Sequence, residues 1–384
     1  MYLIAATEEF NIHGQSKPGF PIVLWEDMNS CREANEFLRY YLLRGQIESE
    51  KSWEPIGRAM YDYFGFIEAH ELAWDDVGRG EDKNLVAAYR DYCFKVANLR
   101  RNTVRLRILY ICEFYDFAKR KEWIQSLPYE YEERRVMQPG GYLAHVNASG
   151  GKQSVRSVMP RKHRDMKKFL NKEQVKTLLE AAKNPHHHMI IRLAVQSGLR
   201  REELATFPLA YVFDPDKIDA KGRNVRVTLD PDDGTGMKTK GSKSRVIYLS
   251  RRLMKDLHHY AIHLRGERAS LSTEPTKPLF LNQDGRPWAR DGKGIEAEVR
   301  KIGAKVGIKT HPHMLRHTYA THTLVALQRH RGDTHIEPLV FLQKQLGHAS
   351  IAQTMEYLHI VNELADDAVL AYDDELNDWV EAQS

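Results

Sequence analysis

The segment HMLRHTYATH, beginning at His313, sets an imidazole and a guanidinium (Arg316) three residues apart. On a helix that spacing puts both groups on one face. Leu346-Gly347 then signals a turn before a second imidazole, His348, and a phenol, Tyr357, follows nine residues later. Cationic donors gathered near a hydroxyl nucleophile suit attack on a phosphodiester, where negative charge grows on the non-bridging oxygens. Each group alone means little, because a lone helical tyrosine is usually a packing residue and a single HxxR is weak.

Two upstream segments extend the set. In SGLRREEL, residues 197–204, Gly198 breaks the preceding helix and lets Arg200 project from a bend, with Glu203 three residues on to buttress it. In KTKGSKSRVIYL, residues 238–249, lysines sit in a turn between two strand-like runs, where one can reach outward while both strands stay anchored.

With Arg200, Lys240, His313, Arg316, His348 and Tyr357 in this order, the chain resembles the tyrosine recombinase (phage integrase) family. The motifs that carry the resemblance are GLRxxEL, KGxKxR, HxLRHTxAT, LGHxSIxxT and the terminal tyrosine, over residues 171–360. The resemblance implies a site-specific DNA recombinase in which Tyr357 attacks a phosphodiester, forming a 3′-phosphotyrosyl link and releasing a 5′-hydroxyl. Arg200 and Arg316 then grip non-bridging oxygens, for which a planar fork suits phosphate better than an ammonium does. Lys240 protonates the departing oxygen, His313 accepts the tyrosine's proton, His348 donates to the phosphoryl group and Glu203 supports Arg200. Lys238 remains the alternative to Lys240, and Lys243 is read as a backbone-phosphate contact. No cofactor or metal is implied, since the covalent link conserves bond energy for resealing. Two places depart from the family pattern. Tyr248 stands where proline is common, and 32 residues separate Arg316 from His348, the excess reading as an enlarged loop around 328–338.

The elements that must position these groups form a mainly helical α+β chain. Residues 1–28 read as an N-terminal arm, irregular or β-like. Residues 29–127 hold four amphipathic helical patterns and read as a core-binding, DNA-binding domain. Its basic last helix offers Arg100, Arg101, Arg105 and Arg107 to DNA. Residues 128–168 lose periodicity around Pro139-Gly140-Gly141 and Gly150-Gly151, and read as a basic interdomain linker with Arg161, Lys162 and Arg164 on the backbone. A catalytic domain follows over 169–360. It opens at Asn171, an N-cap with Gln174 at the capping-box position, and carries a small antiparallel sheet from NVRVTLD and SRVIYLS. Residues 361–384 read as an acidic tail or helix for subunit docking.

Composition agrees with a polyanion partner. The whole chain carries +5, but the last 24 residues hold eight acids and no Lys or Arg, which leaves the preceding 360 at +13. Cys31, Cys93 and Cys112 lack paired spacing and read as reduced thiols. No run approaches the ~20 apolar residues of a membrane span, so a cytoplasmic, nucleoid-associated protein is expected. The run His186-His187-His188 follows Asn184-Pro185 at a helix start and lacks the spacing of a metal-dependent nicking site. The expected partners are double-stranded DNA at specific sites, further copies of the chain in a tetramer on two DNA segments, and an accessory DNA-bending or directionality protein. Two alternatives stay open: a type IB topoisomerase or resolvase-like enzyme, and a DNA-binding protein with a silent active site.

Overall fold

The computed structural model describes residues 1–12, 14–45, 47, 50–78, 80, 84–135, 152–161, 167–218, 222–329 and 337–358. The tail at 361–384, the centre of the 328–338 insert, Lys162 and Arg164 lie outside the described residues. The chain divides into two units, Met1–Arg164 and Asp165–Ser384.

In the first unit, β1 (Tyr2–Ala5), β2 (Asn11–Ile12), β3 (Gln15–Ser16) and β4 (Pro21–Leu24) precede the helices. β1 pairs antiparallel with β4, and β2 with β3. The helices are α1 (Arg32–Leu43), α2 (Trp53–Ala69), α3 (Leu85–Lys95) and α4 (Arg101–Arg120). Their three-to-four apolar spacing buries Phe37, Leu38, Ile56, Met60, Tyr89 and Ile108 in one core. Phe20 and Val23 join that core, so the first residues pack into the helical unit. All three cysteines are free and buried here.

The stretch read from sequence as a linker without regular structure contains a hairpin, β5 (Tyr131–Arg135) with β6 (Lys152–Arg156). Its strands, YEERR and KQSVR, show no apolar alternation, so periodicity gave no sign of them. The hairpin is tied to α4 by Arg156, 2.8 Å from Glu113 and 2.5 Å from Asp116, and by the Tyr131 hydroxyl, which donates to Asp116 at 3.1 Å.

The second unit begins with α5 (Lys172–Ala181), where the capping box forms. Asn171 accepts from the Gln174 N–H at 2.8 Å while the Gln174 side chain accepts from Asn171 N–H at 3.0 Å. α6 (Pro185–Ser197) has Asn184 as N-cap, proline at its first position and Gly198 at φ +69° as its stop. After α7 (Arg201–Thr206) come β7 (Asn224–Leu229) and β8 (Arg245–Ser250), paired antiparallel from Asn224↔Ser250 to Leu229↔Arg245. On β7, Val225, Val227 and Leu229 face inward at period two. Next are α8 (Arg251–His263), α9 (Arg265–Ala269), α10 (Lys293–Lys305), α11 (Pro312–Arg329) and α12 (Pro338–Leu346), and residues 351–358 are helical.

Two apolar clusters build this unit. The larger joins α6, both strands, α8 and α10 through Ile191, Leu193, Ile247, Leu257 and Val299, each buried side chain stabilising by about 1.5–3 kcal/mol. The smaller comprises Ala320, Leu324, Leu339, Leu342, Leu346 and Tyr357. Tyr357 is therefore seated in a local core made by α11 and α12. The fold is mainly helical α+β. No helix among the described residues is long and apolar enough to cross a membrane.

Candidate active site

Three helix ends meet around the turn Leu346-Gly347-His348. α6 stops at Gly198, α7 starts after Arg200, and α12 stops at Gly347, φ +64°. Both glycines are required by left-handed backbone and by space. A Cβ on Gly198 would lie 2.5 Å from the Tyr319 ring, and one on Gly347 would lie 2.7 Å from the Arg245 side chain.

The carbonyls exposed at these stops hold the two arginines. Arg316 donates to Gly198 O at 2.7 Å and to Leu346 O at 2.6 Å. Arg200 donates to Gly347 O at 2.8 Å. Terminal carbonyls lack intrahelical partners and carry the negative end of the helix dipole, so they suit guanidiniums. Arg316 is 2% exposed. Burial and then the neighbouring Arg200 push its guanidinium below the ordinary arginine value, and Glu203 opposes the shift.

Glu203 is fully buried and binds both arginines that flank it in space. One oxygen accepts from Arg200 Nη1 at 3.0 Å and from Arg245 Nη1 at 2.6 Å. The other accepts from the Arg200 backbone N–H and from Arg245 Nη2, both at 2.7 Å. Burial alone would raise this carboxyl, but the Arg245 hydrogen bonds and the surrounding guanidiniums hold it at about 2. Sequence reading found Glu203 as a buttress for Arg200 and missed Arg245, whose signal was the closing arginine of KGSKSR.

His348 completes the turn. Its Nδ1 lies 2.9 Å from Thr354 Oγ1, and its ring is parallel to that of Tyr357, 6.1 Å between centroids. Burial and then Arg316 hold its imidazole down to about 3. Tyr357 is 0% exposed, and burial pushes its phenol up to about 12. The hydroxyl lies 2.7 Å from Nδ1 of His317, a residue that sequence reading passed over. His313, one turn earlier on α11, is surface-exposed and its ring lies 4.3 Å from that of His317. Partial burial and then Arg316 lower the His313 imidazole to about 4. Lys167 is a second side chain that sequence reading did not single out. Its ammonium sits 4.3 Å from the Tyr357 ring centroid and 2.8 Å from Glu356.

Lys238, Lys240 and Lys243 are exposed in the β7–β8 connection, with buried Thr239 between the first two. In the first unit, Arg100, Arg101 and Arg161 are exposed. Arg105 donates to Pro160 O at 2.8 Å, and Arg107 is paired with Asp62 at 2.5 Å. The histidine run turns to three partners, His186 to Tyr260, His187 to Glu298 and His188 to Leu179 O. Among the described residues no group of three or more His, Cys, Asp or Glu is placed to hold a metal.

Fold, motif order and the gathered arginines define a tyrosine-type site-specific recombinase, an enzyme that cleaves and rejoins DNA. The chain belongs to the phage integrase family, whose model matches residues 168–363. Among its relatives are the tyrosine recombinase XerA of Saccharolobus solfataricus, 26% identical over 75% of this chain and 89% of that protein, and the tyrosine recombinase XerC of Roseiflexus sp., 26% identical over 72% and 88%. The fold is similar to that of the XerH recombinase bound to palindromic difH substrate, with TM-score 0.56, 16% identity and 89% of each chain covered. It is likewise similar to that of the Tn1549 transposon integrase in complex with transposon right end DNA, with TM-score 0.56, 18% identity and coverage of 85% and 93%.

Proposed function

We propose that Arg200, Lys240, His313, Arg316, His348 and Tyr357 form the active site, with Glu203 in support, on double-stranded DNA. The observation that carries this is the turn Leu346-Gly347-His348. Its first carbonyl anchors Arg316, its second anchors Arg200, and its imidazole stacks on Tyr357. One turn thereby ties two phosphate-gripping guanidiniums to the nucleophile.

In this reading Tyr357 Oη attacks phosphorus, an Oη–P bond forms, and the P–O5′ bond breaks. Arg200 and Arg316 meet the non-bridging oxygens. Thr354 donates its hydroxyl proton to His348 Nδ1, so Nε2 carries hydrogen and donates to the phosphoryl oxygen. One such donor contributes about 3–4 kcal/mol of barrier lowering. Lys240 protonates the departing O5′, the Tyr357 proton passes to an imidazole of α11, and His313 meets the incoming phosphate on the exposed side of that helix. The unit ending at Arg164 serves as the core-binding domain, and exposed Arg100, Arg101, Arg161 and Lys243 contact the DNA backbone. Strand exchange proceeds in a homotetramer on two DNA segments through a Holliday junction, in the service of a mobile element.

The test incubates the chain with a pool of nicked duplexes of random sequence and isolates protein-linked DNA under denaturing conditions. The intact chain is expected to yield adducts that define its site, and Tyr357→Phe none. An adduct that survives Tyr357→Phe overturns the nucleophile, and no adduct from the intact chain overturns the reading.

A further inference from the structure

The hydrogen-bond partner of the Tyr357 hydroxyl is an imidazole outside the expected set. His317 Nδ1 lies 2.7 Å from Oη, with ring centroids 5.6 Å apart. Both residues are buried, His317 at 8% exposure and Tyr357 at 0%. With hydrogen on Nε2, His317 sets its Nδ1 lone pair against the phenol proton, and this distance is within the reach a general base needs. His313 is exposed, one helical turn nearer the N-terminus of α11, and touches the ring of His317.

We propose that His317, and not His313, takes the proton of Tyr357 when it attacks the phosphodiester; this rests on Tyr357 being the nucleophile. The proton moves from Oη to Nδ1 as the Oη–P bond forms and the P–O5′ bond breaks, and the departing O5′ takes its proton from Lys240. In the rejoining direction the 5′-hydroxyl attacks phosphorus and gives its proton back to Lys240, the Tyr357 oxygen leaves, and His317 returns the same proton to it. The imidazole is thus restored each cycle with no other acid or base consumed.

The charges around His317 set when this occurs. It faces His313, Arg316 and His311 on or beside α11, Lys167 from the segment before α5, and Tyr357 from residues 351–358. Burial and then His313, Lys167, Arg316 and His311 hold its imidazole at about 3, so it is neutral, and the tautomer with hydrogen on Nε2 offers the Nδ1 lone pair to the phenol. A phosphodiester entering beside Arg316 brings negative charge that offsets them and makes the imidazolium easier to form. Proton acceptance is thereby coupled to substrate occupancy, and Tyr357 stays a neutral, buried phenol without DNA.

The deciding comparison uses His317→Asn, whose side chain keeps a polar partner for the hydroxyl but cannot take a proton at working pH. Adduct formation on the duplex selected above is followed in single turnover from about pH 6 to pH 10, with thermal melting as the check on folding. The variant is expected to melt like the intact chain and to form adduct about 100- to 1000-fold more slowly at neutral pH. Its deficit is expected to shrink as rising pH ionises the phenol directly. An intact-chain rate in His317→Asn, with Tyr357→Phe inert, overturns the role of His317 while leaving the nucleophile in place. Adduct from Tyr357→Phe overturns the underlying reading instead. Should His317→Asn melt early, the exposed His313→Asn decides. A slower variant that keeps the intact chain's pH dependence supports His317, and one that loses it assigns the proton to His313.

Discussion

Arg245 sets both terminal nitrogens of its guanidinium on the carboxylate of Glu203, at 2.6 and 2.7 Å. Because Glu203 also accepts from Arg200, one buried carboxylate fixes a strand-borne arginine to the loop that carries a proposed phosphate ligand. Arg200, Arg245 and Arg316 share this single negative charge, so the cluster keeps a positive surplus that a phosphodiester can complete.

Glu203→Gln therefore leaves Arg245 buried without its counter-charge, and a loss of about 3–5 kcal/mol of stability is expected. The pH dependence follows from the depressed carboxyl. An ordinary value of 4.5 falls to about 2 on folding. Stability from this group is therefore present above the unfolded value and is lost as pH falls from about 4.5 towards 2, an effect of roughly 3 kcal/mol. Denaturant midpoints measured across that window should decline more steeply for the intact chain than for Glu203→Gln. Parallel declines would falsify the assignment.

Sequence made the site legible wherever chemistry and local order coincide. The Asn171–Gln174 capping box, the stop at Gly198 and the β7–β8 pairing follow from rules that act within a few residues. What stayed hidden depends on contacts distant in sequence. Glu203 meets Arg245 42 residues away, and His317 meets Tyr357 across 40. Lys167 looked like one more basic linker residue until its ammonium proved to lie over the Tyr357 ring. The unusual Tyr248 gains its reason in the same way. Its N–H donates to the Gln345 side chain at 2.8 Å, a bond that proline, having no N–H, cannot make.

Gly198→Ala is expected to lower both stability and cleavage. The backbone there is left-handed, and the added methyl would meet Tyr319 at 2.5 Å and Leu346 at 2.8 Å. Strain and displacement together should cost about 1–3 kcal/mol. The same shift moves the carbonyl that anchors Arg316. Melting temperature and single-turnover cleavage should fall together, and an alanine variant matching the intact chain in both would show that the turn does not set the arginine.

Lys240 and Lys238 are separable by leaving-group chemistry. Both are exposed on the β7–β8 connection, so replacing either by alanine should leave melting unchanged. General acid catalysis contributes about 100- to 10,000-fold, so Lys240→Ala should slow cleavage within that range. A duplex with sulfur at the 5′-bridging position needs no proton on departure, and should restore Lys240→Ala to near the intact rate. Lys238→Ala should cleave ordinary DNA normally. Rescue confined to Lys238→Ala would exchange the two assignments.

Arg316→Lys tests whether the fork matters more than the charge. The guanidinium spans two carbonyls from different helix stops, Gly198 O and Leu346 O. An ammonium on a shorter stem reaches one of them, so the other is left buried without a donor at a cost of about 1–3 kcal/mol. Positive charge persists, and DNA affinity in a gel-shift titration should therefore change little. The planar pair of donors is lost from the phosphoryl oxygens, and single-turnover cleavage should fall by about 100- to 1000-fold. Affinity that falls in step with cleavage would make Arg316 a binding group alone; cleavage retained within about threefold would show that one positive charge at this point is sufficient for the chemistry.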